Sequence, residues 1–179
     1  NKKLLLKVKK KRNGFLDIEN RNIKLDLASF LSSEWFCFMD TDELFDIRFT
    51  KFHEAMESDA DVISFCFVNL WNNEQTYNSE YPYSENKIKK KIKMFRNIGH
   101  VQIYKKKVKT HFSVIPYQKK IFRSNILYKH FGMISKEKRL EKYQFYKRED
   151  IAGDQQSYDH ILIENPKLLY VRDLCEMNG

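Results

Sequence analysis

Glu34-Trp35-Phe36-Cys37-Phe38-Met39-Asp40-Thr41-Asp42-Glu43-Leu44 is the stretch on which the reading of this chain turns. Trp35 to Met39 are five apolar residues with no polar alternation, the pattern of a strand buried on both faces of a parallel or mixed sheet. The run stops at Asp40, where three carboxylates follow within four residues. In open α/β sheets ligands bind outside the carboxyl ends of the strands, so an acidic cluster here stands where it can serve chemistry. Hard cations such as Mg²⁺ or Mn²⁺ take oxygen ligands and are commonly shared with substrate phosphates. Alternate residues of an extended segment point the same way, so Asp40 and Asp42 are expected to face one ion while Thr41 points aside.

Working outward, Asn22 caps a helix whose Ile23, Leu27, Phe30 and Leu31 form one stripe. Beyond the cluster, Phe49, Phe52, His53 and Met56 recur at helical intervals, with His53 expected to pack. Val62 to Leu70 is a second long apolar run, so strand, helix and strand follow in order as a βαβ unit. Asp59-Ala60-Asp61 repeats the Asp-x-Asp spacing but precedes this strand, at the wrong end for a site. It is expected to be a solvated turn or helix cap.

Residues 71–86 form a polar, aromatic-rich loop of the length that often carries function. Ile88, Ile92 and Met94 alternate with lysines as on a half-exposed strand. Leu4 to Val8, His100 to Tyr104, Lys109 to Ile115 and Ile126 to His130 read as further short strands. Ser135 caps a helix to about Lys147 with Leu140, Tyr143 and Tyr146 on one face. A helix near Tyr158 to Ile163 and a strand at Leu168 to Val171 close the chain.

The 179 residues, 42% hydrophobic and 15% aromatic, suffice for one substantial core, and a single domain is expected over 1–179. With only 5 glycines and 3 prolines, no stretch reads as a linker or repeat. A formal charge of +9 favours anionic partners, nucleotide phosphates among them. No apolar stretch approaches the roughly 20 residues that span a bilayer, and the basic start is too short for a secretory signal. Cys37, Cys66 and Cys175 are odd in number, and the first two lie in apolar runs, which suits a reducing compartment. A cytoplasmic protein, able to sit on a membrane surface, is the expectation.

The Glu34 to Leu44 segment resembles the "dW-apolar-D-x-DEf" segment of family 2 type glycosyltransferases with a GT-A fold. Asn69-Leu70-Trp71, Lys93-Met94-Phe95-Arg96-Asn97 and Thr110-His111-Phe112 with Pro116 follow in order and resemble acceptor-side segments of bacterial members. Lys129-His130-Phe131-Gly132-Met133, with Lys136, Arg139, Lys142-Tyr143 and Tyr146, is similar to that subfamily's "kHyG…r…Ky..Y" ending. Glu149-Asp150 and Tyr158-Asp159-His160-Ile161 continue it, and the resemblance covers roughly residues 20 to 165. It implies an α/β, GT-A-like mixed sheet flanked by helices, amounting to the C-terminal two-thirds of that fold. The nucleotide-binding half that precedes the acidic segment in the family, with its "P-x-Y-N-E" strand end, is not found before Asp40, so a fragment or minimal variant is expected.

The resemblance further implies transfer of a sugar from a nucleoside diphosphate donor to a hydroxyl acceptor, in glycan or surface polysaccharide synthesis. Asp40, Asp42 and His130 would hold Mn²⁺ or Mg²⁺, and Asp40 with Arg96 and Lys129 would serve the donor diphosphate. A metal acting as Lewis acid stabilises the charge on the departing diphosphate. Glu43, Asp150, Asp154 and His111 are candidates for the base that takes the acceptor proton. Trp71, His111 and Tyr146 are acceptor-side candidates, and Tyr77, Tyr81 and Tyr83 could stack on a sugar ring. The acceptor would be a glycan, a lipid-linked group or a protein. Two rivals stay open: a basic nucleic-acid-binding module using Lys87 to Lys93 and Lys105 to Lys109, and a metal-dependent phosphodiesterase using the same carboxylates. Those lysines alternate with isoleucine and valine at strand spacing, so an exposed strand face is expected and no nucleic acid. A GT-like fragment that only binds a partner subunit is the remaining alternative.

Overall fold

The computed structural model describes residues 22–26, 31, 33–46, 52–80, 89–97, 120–150 and 157–176. Residues 22–26 are helical (α1), and the elements that follow are β1 Trp35–Cys37, β2 Glu43–Phe45, α2 Phe52–Glu57, β3 Val62–Asn69, β4 Thr76–Asn78, β5 Lys89–Arg96 and β6 Ile121–His130. The chain continues through α3 Lys136–Glu149, a 3-10 turn Asp159–Leu162, β7 Leu168–Tyr170 and α4 Val171–Glu176. The fold is α/β, with a mixed sheet in the order β1-β5-β3-β6-β2 and a small β4-β7 sheet.

β3 is the spine of the sheet because every residue of its apolar run is buried, which only a central strand covered on both faces allows. Ile63, Phe65 and Phe67 point to one face, where Ala55 of α2, Trp35, Met94, Ile126 and Tyr128 meet them. Cys66 and Val68 point to the other, under Val171 and Leu174 of α4. Near one end Leu25 of α1 packs with Val62 and Phe95.

β3 pairs antiparallel with β5 and parallel with β6, while β5 pairs antiparallel with β1. β1, β3 and β6 therefore run in one direction. The expected β1-α2-β3 unit is present in that sense, but β5 is inserted between its two strands. β1 is shorter than the apolar run suggested, and only Trp35 of its three residues is buried. Phe38 and Met39 lie past its end, so the expectation of a strand buried on both faces is corrected.

A one-residue bulge interrupts β5, since Ile63 faces Met94 while the next residue, Ser64, faces Ile92. Lys93 is the extra residue, its carbonyl accepting from the Phe38 N–H at 2.9 Å. Ser135 caps α3 as expected, accepting from the Lys138 N–H at 3.2 Å. The buried residue of α3 is Arg139, and Leu140 is exposed, contrary to the expected stripe. His53 is also corrected: it is exposed on α2 and pairs with Glu57 at 3.3 Å, while Ala55 faces the core. The strands expected at Leu4 to Val8, His100 to Tyr104 and Lys109 to Ile115 lie outside the described residues, as do the helical positions Leu27, Phe30 and Phe49. Among the described residues no helix is long and apolar enough to cross a membrane.

Candidate functional site

β1, β3 and β6 all end on the same side of the sheet, and there the chain collects Asp40 and Asp42 after β1, Asn69 at the end of β3 and His130 at the end of β6. The acidic segment is not extended. The Glu43 N–H donates to the Asp40 carbonyl at 3.1 Å, closing a turn that leads into β2, a strand the sequence reading did not foresee. Asp40 and Asp42 consequently point to different partners, which corrects the expectation that they face one ion side by side.

Asp42 Oδ2 lies 3.1 Å from His130 Nε2 and 3.5 Å from Lys142 Nζ. The Asp42 carbonyl accepts the Phe131 N–H at 2.7 Å, which pins the turn to the end of β6. The His130 ring, which donates to Asp42 when it is protonated, and then the Lys142 ammonium hold the Asp42 carboxyl well below the usual carboxylate range, against a partial opposing effect of burial. Burial pushes His130 below its ordinary value, although Asp42 pulls the other way, so the ring is neutral near pH 7. His130 Nδ1 is 2.6 Å from Asn69 Oδ1, which can only accept, so Nδ1 carries the proton. In the neutral ring Nε2 is then a lone pair, and it accepts from Lys142 Nζ at 3.1 Å. Only the imidazolium form donates to Asn69 and Asp42 together.

Gly132 explains how three polar ends come so close. A Cβ at this position would stand 2.4 Å from Asp42 Oδ2, 2.5 Å from Lys142 Nζ and 2.7 Å from His130 Nε2. No side chain fits without pushing the cluster apart. Two ligands at neighbouring corners of an octahedral shell with bonds near 2.1 Å are separated by about 3.0 Å, and a carboxylate oxygen with an imidazole nitrogen is a donor set that Mn²⁺ accepts. The Asp42 to His130 separation of 3.1 Å fits that edge. Asn69 fixes the ring in the way metal-bound histidines are usually fixed. Even so, among the described residues no group of three or more His, Cys, Asp and Glu side chains is arranged to hold a metal ion. Of the three residues expected as ligands, Asp42 and His130 meet, whereas Asp40 is 64% exposed and stands 3.7 Å from Lys93.

Glu43 lies next to this pair with its side chain covered. Its carboxylate accepts from Lys93 Nζ at 2.8 and 2.6 Å, from the Asp40 N–H at 2.8 Å and from the Tyr128 hydroxyl. Burial raises its carboxyl, but the bonds from Lys93, Tyr128 and the Asp40 amide outweigh that and leave it below the usual value. A carboxylate so fully engaged organises the turn and is poorly suited to collect an acceptor proton. Tyr146 joins the cluster from α3, one turn beyond Lys142 on the same helix face. Burial first, and then Asp42 and Asp40, push its hydroxyl up to about 12, so it is a neutral donor. Its ring stacks on Tyr158 at 4.9 Å, and the Tyr158 hydroxyl donates to Asp150 at 2.9 Å. Asp150 thus supports Tyr146 from behind and is the C-cap of α3.

The remaining candidates are placed elsewhere. Arg96 lies at the opposite end of the sheet, donating to the Ser58 and Ala60 carbonyls and paired with Glu34. Lys129, next to His130 in β6, faces away from it as neighbouring strand residues do, and pairs with Asp46 at 2.8 Å. Trp71 is wholly buried, its ring 4.2 Å from the Arg139 guanidinium, so it presents no face to a sugar. Tyr77 is buried as well. Tyr81, Tyr83, His111 and Asp154 lie outside the described residues.

Asn69, Lys93, Tyr128, Gly132 and Lys142 are the contributors that sequence reasoning did not single out for a role. Tyr128 was within reach, because it sits two residues before His130 in a strand and so shares its face. Lys142 and Tyr146 likewise share a helix face at i,i+4 spacing. The bulge that aims Lys93 leaves no mark in the local pattern. No family model, no curated protein and no solved structure matches the chain.

Proposed function

We propose that the chain works in the metal-dependent transfer of a sugar from a nucleoside diphosphate donor to a hydroxyl acceptor, in the synthesis of a glycan or surface polysaccharide. The observation that carries this reading is the meeting of Asp42 and His130, 88 positions apart in sequence, at 3.1 Å beyond the carboxyl ends of three co-directional strands. Both residues stand in segments that carry the family resemblance. Mn²⁺ or Mg²⁺ held by this pair supplies a Lewis acid for the charge that develops on the departing diphosphate. The chain's own residues support the same task. Lys142 is a cation beside the pair, Lys93 stands 3.7 Å from Asp40, and the Tyr146 hydroxyl stays neutral close to both aspartates. Asn69 holds the His130 tautomer that leaves Nε2 free of a proton.

The acceptor is a glycan, a lipid-linked group or a protein, and the reading has the chain working in the cytoplasm, at times against a membrane surface.

The test is thermal unfolding with a panel of nucleoside diphosphates and nucleotide sugars, with and without Mn²⁺, on wild type and Asp42→Ala. Stabilisation by at least one nucleotide is expected only with Mn²⁺, and is expected to vanish in Asp42→Ala. At a ligand concentration of 100 times Kd the linkage amounts to about 2.7 kcal/mol, which is several degrees in Tm for a domain of this size. Stabilisation independent of metal, or hydrolysis of a phosphodiester by the same preparation, would remove the reading.

A further inference from the structure

Lys142 occupies an unusual position for a lysine. Its ammonium is 3.1 Å from His130 Nε2 and 3.5 Å from Asp42 Oδ2, with its side chain only 22% exposed. The Asn69 bond leaves Nε2 as a lone pair facing a carboxylate oxygen at 3.1 Å, so two acceptors confront each other and need a positive charge between them. The ammonium supplies it. Gly132 keeps the space clear, since a Cβ there would come within 2.5 Å of Lys142 Nζ.

We propose that Lys142 is the resident counter-cation of the Asp42–His130 pair, displaced when a divalent cation takes both ligands, and that its ammonium then binds the diphosphate held at that cation. This rests on the metal-dependent reading above. An imidazole nitrogen has one lone pair, and a metal bonded to Nε2 must use the electrons that now accept from Lys142. The two cations are therefore alternatives at this nitrogen, and at close range they also repel. Lysine suits the exchange, because its compact charge sits on a flexible four-carbon stem that can swing without moving the helix that carries it. A diphosphate brought to that cation would offer the displaced ammonium a large negative charge. Lys142 is thus a positioning residue toward the metal and a binding residue toward the phosphates.

The experiment is direct Mn²⁺ titration, by calorimetry and by the electron paramagnetic resonance of free Mn²⁺, on wild type, Lys142→Met and Lys142→Gln, with Asp42→Asn marking the site. Met keeps the stem and its packing, and Gln serves if Met perturbs the fold. Without nucleotide, both Lys142 variants are expected to bind Mn²⁺ about tenfold more tightly than wild type, the effect of removing one competing, partly buried charge. With Mn²⁺ saturating, the same variants are expected to bind a nucleoside diphosphate about tenfold more weakly. Wild-type binding lost in Asp42→Asn but equal or weaker in both Lys142 variants would overturn the displacement while leaving the metal reading intact. Unchanged diphosphate affinity would overturn the second role of the ammonium. Absence of Mn²⁺ binding by wild type and Lys142 variants alike, with nucleoside diphosphate present, overturns this inference together with the reading on which it rests.

Discussion

Gly132 has no side chain to contribute, and the ends of Asp42, His130 and Lys142 meet because of that. The three nearest contacts of an added Cβ would all be shorter than real Cβ atoms tolerate, the longest of them being 2.7 Å. Gly132→Ala is therefore expected to spread the cluster while leaving the fold standing, since what must move are side-chain tips. A cost of about 1 kcal/mol by urea unfolding, with complete loss of Mn²⁺-dependent nucleotide stabilisation, is the expected pair of results. Glu43 gives the opposite balance. Its side chain is 4% exposed and holds Lys93, itself 13% exposed, so Glu43→Gln removes the closer of the two carboxylates at that ammonium, at a cost of about 3 kcal/mol. The pH dependence follows from the depressed Glu43 carboxyl. Between its folded value and the ordinary 4.5, the unfolded chain binds more protons, so stability rises with pH through that window. The contribution is whole above about pH 4.5 and lost as pH falls through the folded value. The stability gap between wild type and Glu43→Gln should accordingly be full at pH 7 and shrink below pH 4. Cys37 is exposed as a residue, yet burial of its thiol pushes it up to about 11, with Lys93 opposing and Glu43 adding. At pH 7.5 its alkylation by iodoacetamide, followed on the Cys37 peptide, should run about two orders of magnitude slower than that of a free thiol near pKa 8.5, and recover in denaturant.

α3 is held to the body by a charged residue. Arg139 donates to the Met133 carbonyl at 2.8 Å and to Asn72 Oδ1 at 3.3 Å, and its guanidinium lies over the Trp71 ring. Arg139→Lys cannot span two acceptors and a ring face at once, so it should lower stability by about 2 kcal/mol by urea unfolding and loosen the helix that carries Lys142 and Tyr146. This contact also gives the physical reason why α3 departs from the expected apolar stripe. Periodicity counts apolar residues, and here the buried position is an arginine stacked on a tryptophan 68 residues earlier in the chain, while Leu140 faces water. β3 was legible for the opposite reason, since a continuous apolar run admits one physical explanation when it is the central strand. β1 was legible as a strand but not in length or depth. β2 is only Glu43–Phe45, and it forms because β6 offers a pairing edge, which a three-residue segment cannot announce. The β5 bulge was equally silent, because Ile92 and Met94 keep even spacing whichever partner residues they meet. Of the candidate cluster, Asp42 and His130 were legible from their segments and Tyr146 from its helix, whereas Arg96, Lys129 and Trp71 stood in similar segments and make their contacts elsewhere. Spacing along the chain could not tell them apart, since what separates them is which face or end of the sheet they occupy.

At the scale of the whole molecule the sheet has two polar ends with different chemistry. At the amino ends of β3 and β6, Asp61 accepts the Lys120 N–H at 2.9 Å, Asp59 pairs with Lys120 Nζ at 2.6 Å, and Arg96 ties down nearby carbonyls. Here the charges are spent on closing the strands. At the carboxyl ends, the charges of Asp40, Asp42, Lys93 and Lys142 are turned toward one another around a turn and a glycine, with Asp40 largely open to solvent. The same Asp-x-Asp spacing occurs at both ends, so the pair of motifs forms an internal control on whether position in an α/β sheet, rather than composition, decides function. Asp61→Ala should remove a backbone cap, lowering stability by about 1 kcal/mol with Mn²⁺-dependent nucleotide stabilisation retained in full. Asp59→Ala, losing only an exposed ion pair, should change neither. Asp42→Ala should abolish the nucleotide response. It should also lower apo stability, since the fold favours the ionised Asp42 carboxylate and its loss takes a charge partner from the Lys142 ammonium. Measured together as apo Tm and as the Mn²⁺-dependent shift, the three variants separate along two axes, and a nucleotide response lost in Asp61→Ala but kept in Asp42→Ala would put the site at the other end of the sheet.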